Sequence, residues 1–333
     1  MSDRFDLGTD GAQQKARAFE ILSRINREME FTIVGQATLK KRLIQGLVCK
    51  GHVLLEGVPG LAKTLSIKAL AGTVDGLFHR IQFTPDLLPA DVTGSEIYRA
   101  EKAAFEIRKG PIFANFVLAD EINRAPAKVQ SALLETMQEH QVTIGEQTLQ
   151  VPQPFFVLAT QNPVEQEGTY PLPEAQIDRF IMKIKVDYPS PNEELEILSR
   201  MTKPSMQQRE LAPVASLSDV VLCQNVCETV YVDERLKRYI VNLVWATRDP
   251  KAQGLPISHL IELGASPRAA ISLLAVARAE ALMNGDEFVV PQHIKNIAHD
   301  VLRHRLIPTY EAEAEGLSSD NIISTILENV EVP

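Results

Sequence analysis

The chain is poor in the residues that would staple, anchor or positively charge it. Only three of its 333 residues are cysteine (Cys49, Cys223 and Cys227), too few for a disulfide framework. Cys223 and Cys227 stand four apart and could share a helix face, but no histidine or third thiol stands nearby at ligand spacing, so they read as buried or surface thiols rather than a metal pair. The seven histidines contain no His-x-x-x-His pair, and His293, His299 and His304 read as members of a solvated helix surface. No apolar run approaches the ~18 residues of a membrane-spanning helix. The opening Met1-Ser2-Asp3-Arg4-Phe5-Asp6 lacks the apolar core of a secretory signal. A reducing, cytoplasmic setting is the expectation. Positive charge is also in deficit: 34 Lys and Arg against 43 Asp and Glu leave a net charge of −9, which argues against nucleic acid as the main partner.

What is present is ordinary in bulk and specific in detail. A hydrophobic content of 45% with 23% charged residues suits a globular protein, and the length allows two domains with separate cores. The first half alternates short apolar runs with helical patterns, the signature of a three-layer α/β domain. The expected strands are His52–Glu56, His79–Phe83, Phe116–Ala119, Phe155–Thr160 and Phe180–Val186, apolar enough to be covered on both faces. A helix is expected to open near Pro126, with Val129, Ala132, Leu133 and Met137 at helical spacing. Residues 92–113 read as one inserted β-hairpin, and residues 141–151 as a second that turns at Gly145-Glu146.

The composition shifts at Tyr188-Pro189-Ser190-Pro191, read as a linker, and beyond it the pattern is helical. Asp233 caps a helix carrying Leu236, Tyr239, Ile240, Leu243 and Val244, stopped by Asp249-Pro250. Ser266-Pro267 opens another helix and Pro291 a third, with Ile294, Ile297, Ala298 and Val301 on its core side. The stretch to about Met29 is expected to be a helix packed on the core.

The chemistry is concentrated in a few places. Gly57-Val58-Pro59-Gly60-Leu61-Ala62-Lys63-Thr64, with Leu65 next, runs directly out of the first strand. Strand, glycine-rich turn, lysine and hydroxyl make a phosphate cradle: the glycines let backbone N–H groups face a polyphosphate, Lys63 reaches the outer phosphates, and Thr64 can ligate Mg²⁺. Ala62 stands where the general pattern has its second glycine. Phe116-Val117-Leu118-Ala119 ends in Asp120 and Glu121, adjacent residues whose side chains point differently. Asp120 would then hold the metal and Glu121 would orient and polarise water, the plain alternative being a strand that ends in solvated acids. The next strand ends in Asn162, whose amide can donate and accept at once. Arg179, in Asp178-Arg179-Phe180, and Arg268, in the first turn after Ser266-Pro267, could neutralise charge on a transferring phosphoryl group. Either could also be an ordinary ion-pair partner.

With these residues in place, the pattern resembles AAA+ ATPases and, more narrowly, the MoxR family. The resemblance is carried by Gly57–Thr64, by the run from Gln82 to Gly94, and by Ala119-Asp120-Glu121-Ile122-Asn123-Arg124-Ala125. Ala159-Thr160-Gln161-Asn162-Pro163, the run from Gly168 to Ala175, Asp178-Arg179-Phe180 and Gly264-Ala265-Ser266-Pro267-Arg268-Ala269 complete it. MoxR-like loops commonly carry alanine at the position of Ala62. The resemblance implies an α/β core with a five-stranded parallel sheet of order 5-1-4-3-2 and a C-terminal helical lid. It divides the chain into a core over 1–189, with helix-2 and pre-sensor-1 hairpin inserts, and a lid over 190–333.

The same resemblance makes Lys63 and Thr64 part of Walker A, Asp120 and Glu121 Walker B, and Asn162 sensor 1. Arg179 becomes an arginine finger reaching the ATP of a neighbouring subunit, and Arg268 sensor 2. Adenine is placed near Val34, Gly35 and Gln36. The implied cofactors are ATP and Mg²⁺. The implied partners are further copies of the chain in a ring, expected as a hexamer, and a protein client of the kind that carries a von Willebrand factor A domain or a metal cofactor. The expected activity is ATP hydrolysis coupled to chaperone-like remodelling of that client. The rivals are a chelatase-type or nucleic-acid motor of the same clade and a nucleotide-gated scaffold with little turnover. The first hairpin offsets Arg99, Lys102, Arg108 and Lys109 with Glu96, Glu101 and Glu106, and the second carries no lysine or arginine, poor footing for phosphate backbones.

Overall fold

The computed structural model describes residues 9–58, 61, 63–163, 168–202 and 211–333. Five parallel strands form the central sheet: β1 (Val53–Glu56), β2 (Phe78–Gln82), β3 (Phe116–Asp120), β4 (Phe156–Gln161) and β5 (Met182–Lys185). Their spatial order is β5-β1-β4-β3-β2, the order the family resemblance implies. Every residue of β3 is buried, and β4 is buried up to its last residue, as strands covered on both faces must be. Register then fixes the chemistry. Gln82 lies opposite Asp120 and Glu56 opposite Gln161, so the polar residues that end these strands share the carboxyl edge of the sheet.

Three helices matter for this edge: α2 (Ala37–Val48), α3 (Lys63–Thr73), which starts on the loop lysine, and α4 (Ala127–Glu139), which begins just after Pro126. A longer helix, α1 (Thr9–Thr32), precedes them. Both expected hairpins form. Gly94–Arg99 pairs antiparallel with Ala104–Lys109, and Gln141–Ile144 pairs with Gln147–Gln150.

The chain falls into two compact units. One is Glu28–Pro213, and the other joins Val214–Pro333 to the N-terminal residues as far as Arg27. The expected boundary at 189 therefore differs from the division by contacts. Residues 188–190 lead directly into α5 (Pro191–Met201), which Ser190 caps by accepting from Glu193 N–H, and this helix stays in the unit of the sheet. The N-terminal helix also differs from expectation, because its residues up to Arg27 pack on helices of the other unit. Arg17 pairs with Asp219 at 3.1 Å, and the Cys223 thiol donates to Ala18 O at 3.7 Å.

The helical unit contains α6 (Leu217–Thr229), α7 (Glu234–Ala246), α8 (Pro267–Asn284), α9 (Pro291–Leu302) and α10 (Ser319–Asn329). Asp233 and Ser266 cap α7 and α8 by accepting from the backbone N–H of Arg235 (2.8 Å) and Arg268 (3.2 Å). The three histidines near α9 are not a solvated surface: His293 and His304 are buried and His299 is half-buried. Polar partners make this burial tolerable. His293 Nδ1 accepts from Val290 N–H at 3.1 Å and its Nε2 faces Asp286 at 2.9 Å, while His299 Nε2 meets Ser324 Oγ at 2.9 Å. Cys223 and Cys227 are buried free thiols, and burial pushes the Cys223 thiol up to about 12. Among the described residues no helix is long and apolar enough to cross a membrane.

His52, at the entrance to β1, ties three elements together. Its Nδ1 accepts from Val157 N–H and its Nε2 donates to Met137 O, both at 3.1 Å, so the ring is held neutral. Burial pushes its pKa down from 6.5 to about 4. The unfolded chain takes a proton on this ring near 6.5, whereas the folded one resists until about 4, so stability is lost as pH falls through that window. The loss attributable to His52 is on the order of 3 kcal/mol. His52→Asn, which keeps an acceptor for Val157 N–H but does not titrate, should show a shallower decline in urea-unfolding free energy across this window than wild type. Parallel declines would remove His52 as the cause.

Candidate functional site

The carboxyl edge begins with Gly57, the first residue after β1. A Cβ at this position would lie 2.9 Å from Val186 O, so the close passage of the neighbouring strand end requires glycine. Gly57 N–H donates to Gln161 O at 3.4 Å, which fastens the start of the loop to the end of β4. Lys63 opens α3 and turns its amino group back over this edge, donating to Gly57 O at 2.6 Å and reaching Gln161 O at 3.5 Å. Val58 is half-buried, Leu61 is buried and Leu65 faces outward. Pro59, Gly60 and Ala62 lie outside the described residues. The first backbone N–H groups of a helix entered from such a loop favour an anion.

Thr64 turns toward the acid strand, with Oγ1 3.5 Å from Asp120 Oδ2. Asp120 is 8% exposed and shares its two oxygens among several donors. Oδ1 accepts from the Thr160 hydroxyl at 2.6 Å; Oδ2 accepts from Arg80 Nε at 3.0 Å and Nη2 at 2.7 Å. A hydroxyl and a carboxylate oxygen side by side are hard donors of the kind Mg²⁺ prefers, so Thr64 and Asp120 could hold such an ion. No cluster of three or more His, Cys, Asp or Glu among the described residues offers a full protein-made metal cage.

At Glu121 the backbone enters the left-handed region (φ 57°), an uncommon conformation for a non-glycine residue, and leads into the 3₁₀ turn Ile122–Arg124. This reversal sends the two adjacent carboxylates to separate partners. Glu121 N–H donates to Thr160 Oγ1 at 2.8 Å, and its Oε2 accepts from Gln82 Nε2 at 2.8 Å and Arg124 Nη1 at 3.0 Å. Asn162 is buried immediately beyond Gln161, whose carbonyl faces Lys63. Lys63, Thr64, Asp120, Glu121 and Asn162 thus gather on one edge.

The two arginines stand elsewhere in the topology. Arg179 precedes β5, whose first residue pairs with the first residue of β1, so it lies at the amino edge of the sheet. It is half-buried, and its Nε has no hydrogen-bond partner among the described residues. Arg268 is in the first turn of α8, in the helical unit. Val34, Gly35 and Gln36 precede α2. Gly35 (φ +62°) and Gln36 (φ 49°) are both left-handed, and the Gln36 side chain donates to Asp187 O at 3.0 Å.

Five residues to which the sequence alone assigns no role shape this site: Arg80, Gln82, Thr160, Arg124 and Gln130. Gln130, fully buried on α4, places its amide nitrogen against Ile122 O (3.2 Å), Ala125 O (3.1 Å) and Tyr170 O (2.9 Å). It thereby holds the turn after Glu121 against the segment that leads to Arg179. Its only trace in the sequence is an amide within the apolar pattern of α4.

Comparison with known proteins agrees with this geometry. Residues 52–182 match the ATPase family associated with various cellular activities (AAA), and residues 257–326 match the AAA lid domain. The chain is 49% identical over 326 residues to chaperone MoxR1 of Mycobacterium tuberculosis, covering 97% of this chain and 85% of that one. It is 32% identical over 305 residues to protein MoxR of Paracoccus denitrificans, covering 86% of this chain and 88% of the relative. A solved structure from Cytophaga hutchinsonii matches with a TM-score of 0.91 at 51% identity, covering 96% of this chain and 97% of that one.

Thr160 offers a direct check on how the acids are held. Thr160→Val keeps the shape of the side chain but removes the donor to the buried Asp120 carboxylate and the acceptor for the part-buried Glu121 N–H. Unfolding free energy should fall by about 1–3 kcal/mol in Thr160→Val and stay near wild type in Thr160→Ser, measured by urea titration. Equal stability of the valine variant would show that the hydroxyl is dispensable.

Proposed function

The chain belongs to the MoxR family of AAA ATPases, and from that premise we propose that it binds ATP with Mg²⁺ and hydrolyses it at contacts between its own copies. The observation that carries the proposal is the convergence of Lys63, Thr64 and Asp120 at one sheet edge, with Lys63 Nζ 2.6 Å from Gly57 O and Thr64 Oγ1 3.5 Å from Asp120 Oδ2. In this reading the loop Gly57–Leu65 cradles the phosphates, and Val34, Gly35 and Gln36 border the base. Thr64 and Asp120 hold Mg²⁺, which when bound neutralises charge on the phosphate oxygens. Glu121 orients the attacking water and accepts its proton. Asn162 donates to a phosphate oxygen and accepts from the same water. Arg268, in the helical unit, takes the sensor 2 role in this reading.

Arg179 acts on a neighbouring copy. Its place at the amino edge, away from the phosphate loop of its own subunit, favours that assignment. A head-to-tail contact that repeats with closure gives a ring, here proposed as a hexamer. Turnover then drives chaperone-like remodelling of a protein client. A cytoplasmic setting belongs to the same proposal and rests on the free thiols Cys49, Cys223 and Cys227.

Steady-state ATPase rate per subunit, measured against protein concentration with Mg²⁺ present, should climb as rings form. Arg179→Ala should bind a fluorescent ATP analogue as wild type does and turn over roughly 10³-fold more slowly, within the range for loss of a trans-acting arginine. Glu121→Gln should bind ATP and fail to hydrolyse it. A rate independent of concentration, with normal turnover by Arg179→Ala, would sink the intersubunit reading.

A further inference from the structure

We propose that Arg80 is a positioning residue that stands in for the divalent cation at Asp120 and gives the carboxylate up when that cation binds. The inference rests on the reading of Asp120 and Thr64 as the metal-holding pair.

The two oxygens of Asp120 are not equivalent. Oδ1 is committed to the Thr160 hydroxyl, a buried partner at 2.6 Å. Oδ2 is the oxygen that Thr64 approaches at 3.5 Å, and both Nε and Nη2 of Arg80 converge on it, at 3.0 and 2.7 Å. Arg80 therefore occupies the oxygen that the metal-holding pair has to use. A guanidinium and a dication on one carboxylate oxygen are like charges at contact distance, so binding of either weakens the other.

The surroundings allow Arg80 to leave. Its side chain is 46% exposed, against 11% for Asp120, so the cation has water to swing into while the carboxylate stays in place. Strand geometry accounts for its reach. Arg80 and Gln82 share a face of β2, and Gln82 lies opposite Asp120 in register. The Arg80 Nη2 also donates to Gln82 Oε1 at 2.6 Å, so one planar fork spans the acid and the amide. With no divalent cation bound, a nearly dry carboxylate at the end of a buried strand keeps a positive partner. With one bound, that partner becomes a competitor.

The test is Mn²⁺ binding to the full-length protein, monitored by electron paramagnetic resonance with a non-hydrolysable ATP analogue present. Arg80→Met should bind Mn²⁺ on the order of tenfold more tightly than wild type, because the competing charge is gone. Arg80→Lys, which keeps the charge, should stay near wild type. A purely structural Arg80 predicts the opposite for the methionine variant, a looser site. Unchanged or weakened Mn²⁺ affinity in Arg80→Met overturns the proposal, and Arg80→Gln carries the same expectation should the methionine variant fail to fold. Asp120→Asn separates the two layers of inference. Retention of wild-type Mn²⁺ affinity there would overturn the metal-site reading itself, whereas loss there with no gain in Arg80→Met overturns only the role of Arg80.

Discussion

A carboxylate at the end of a completely buried strand has to be met by donors, and the site is organised around how Asp120 meets that demand. Phe116, Val117, Leu118 and Ala119 are fully dry, so β3 delivers an anion to the sheet edge with little water around its base. An unpaired charge there would cost several kcal/mol. The neighbouring strands supply the answer in register. Thr160 comes from β4 and Arg80 from β2, each on a strand that pairs directly with β3. The order β5-β1-β4-β3-β2 is therefore what puts a hydroxyl on one side of the acid and a guanidinium on the other, and what brings β1, the strand that leads into Gly57, one place further along.

The left-handed turn at Glu121 extends this arrangement. Had the strand continued, the second acid would have pointed to the opposite face of the sheet. Instead the chain folds back, Glu121 N–H closes onto the same Thr160 hydroxyl, and its carboxylate joins Gln82 and Arg124. The result is a connected series of charged and amide groups from Asp120 through Arg80 and Gln82 to Glu121 and Arg124. Gln130 then ties the turn behind Glu121 to Tyr170, on the way to Arg179. The acid edge and the segment carrying the far arginine are thus joined by backbone carbonyls on a single buried amide.

Much of this is legible in the sequence, and the reasons differ by residue. The loop Gly57–Thr64, the acid pair and the end of β4 are contiguous runs, each lying where an apolar strand gives way to polar residues, so a linear reading finds them. The strand order comes from the family resemblance and matches the structure. Arg80 is invisible in the sequence because it sits mid-strand at a half-exposed position, where arginine is ordinary until register places it over Asp120. Gln130 escapes notice because an amide within an apolar helical pattern looks like a boundary residue. His293 reads as solvated for the converse reason. Its ring is polar, but a cap to Val290 N–H and a contact with Asp286 satisfy both nitrogens and permit burial. Composition marks a linker at Tyr188–Pro191, yet compactness depends on contacts between distant segments, which composition does not register.

The donors on Asp120 differ in what each can do. The Thr160 hydroxyl is buried and bonded to two partners, so releasing it would strand both Asp120 Oδ1 and Glu121 N–H at a cost of about 1–3 kcal/mol. Arg80 is half-solvated, so water can take up its charge when the pair opens, an outlet the buried Thr160 hydroxyl does not have. One oxygen is therefore fixed and the other is held loosely by a charge that water readily takes back. On the proposed reading of Asp120 as a metal-holding carboxylate, that asymmetry lets the site accept a hard cation and later give it up. On that reading, a second buried donor on Oδ2 would hold the acid too firmly to bind metal, and no donor at all would leave a dry anion uncompensated. Placing the weak partner on the edge strand β2, where its side chain can reach solvent, satisfies both conditions with one residue.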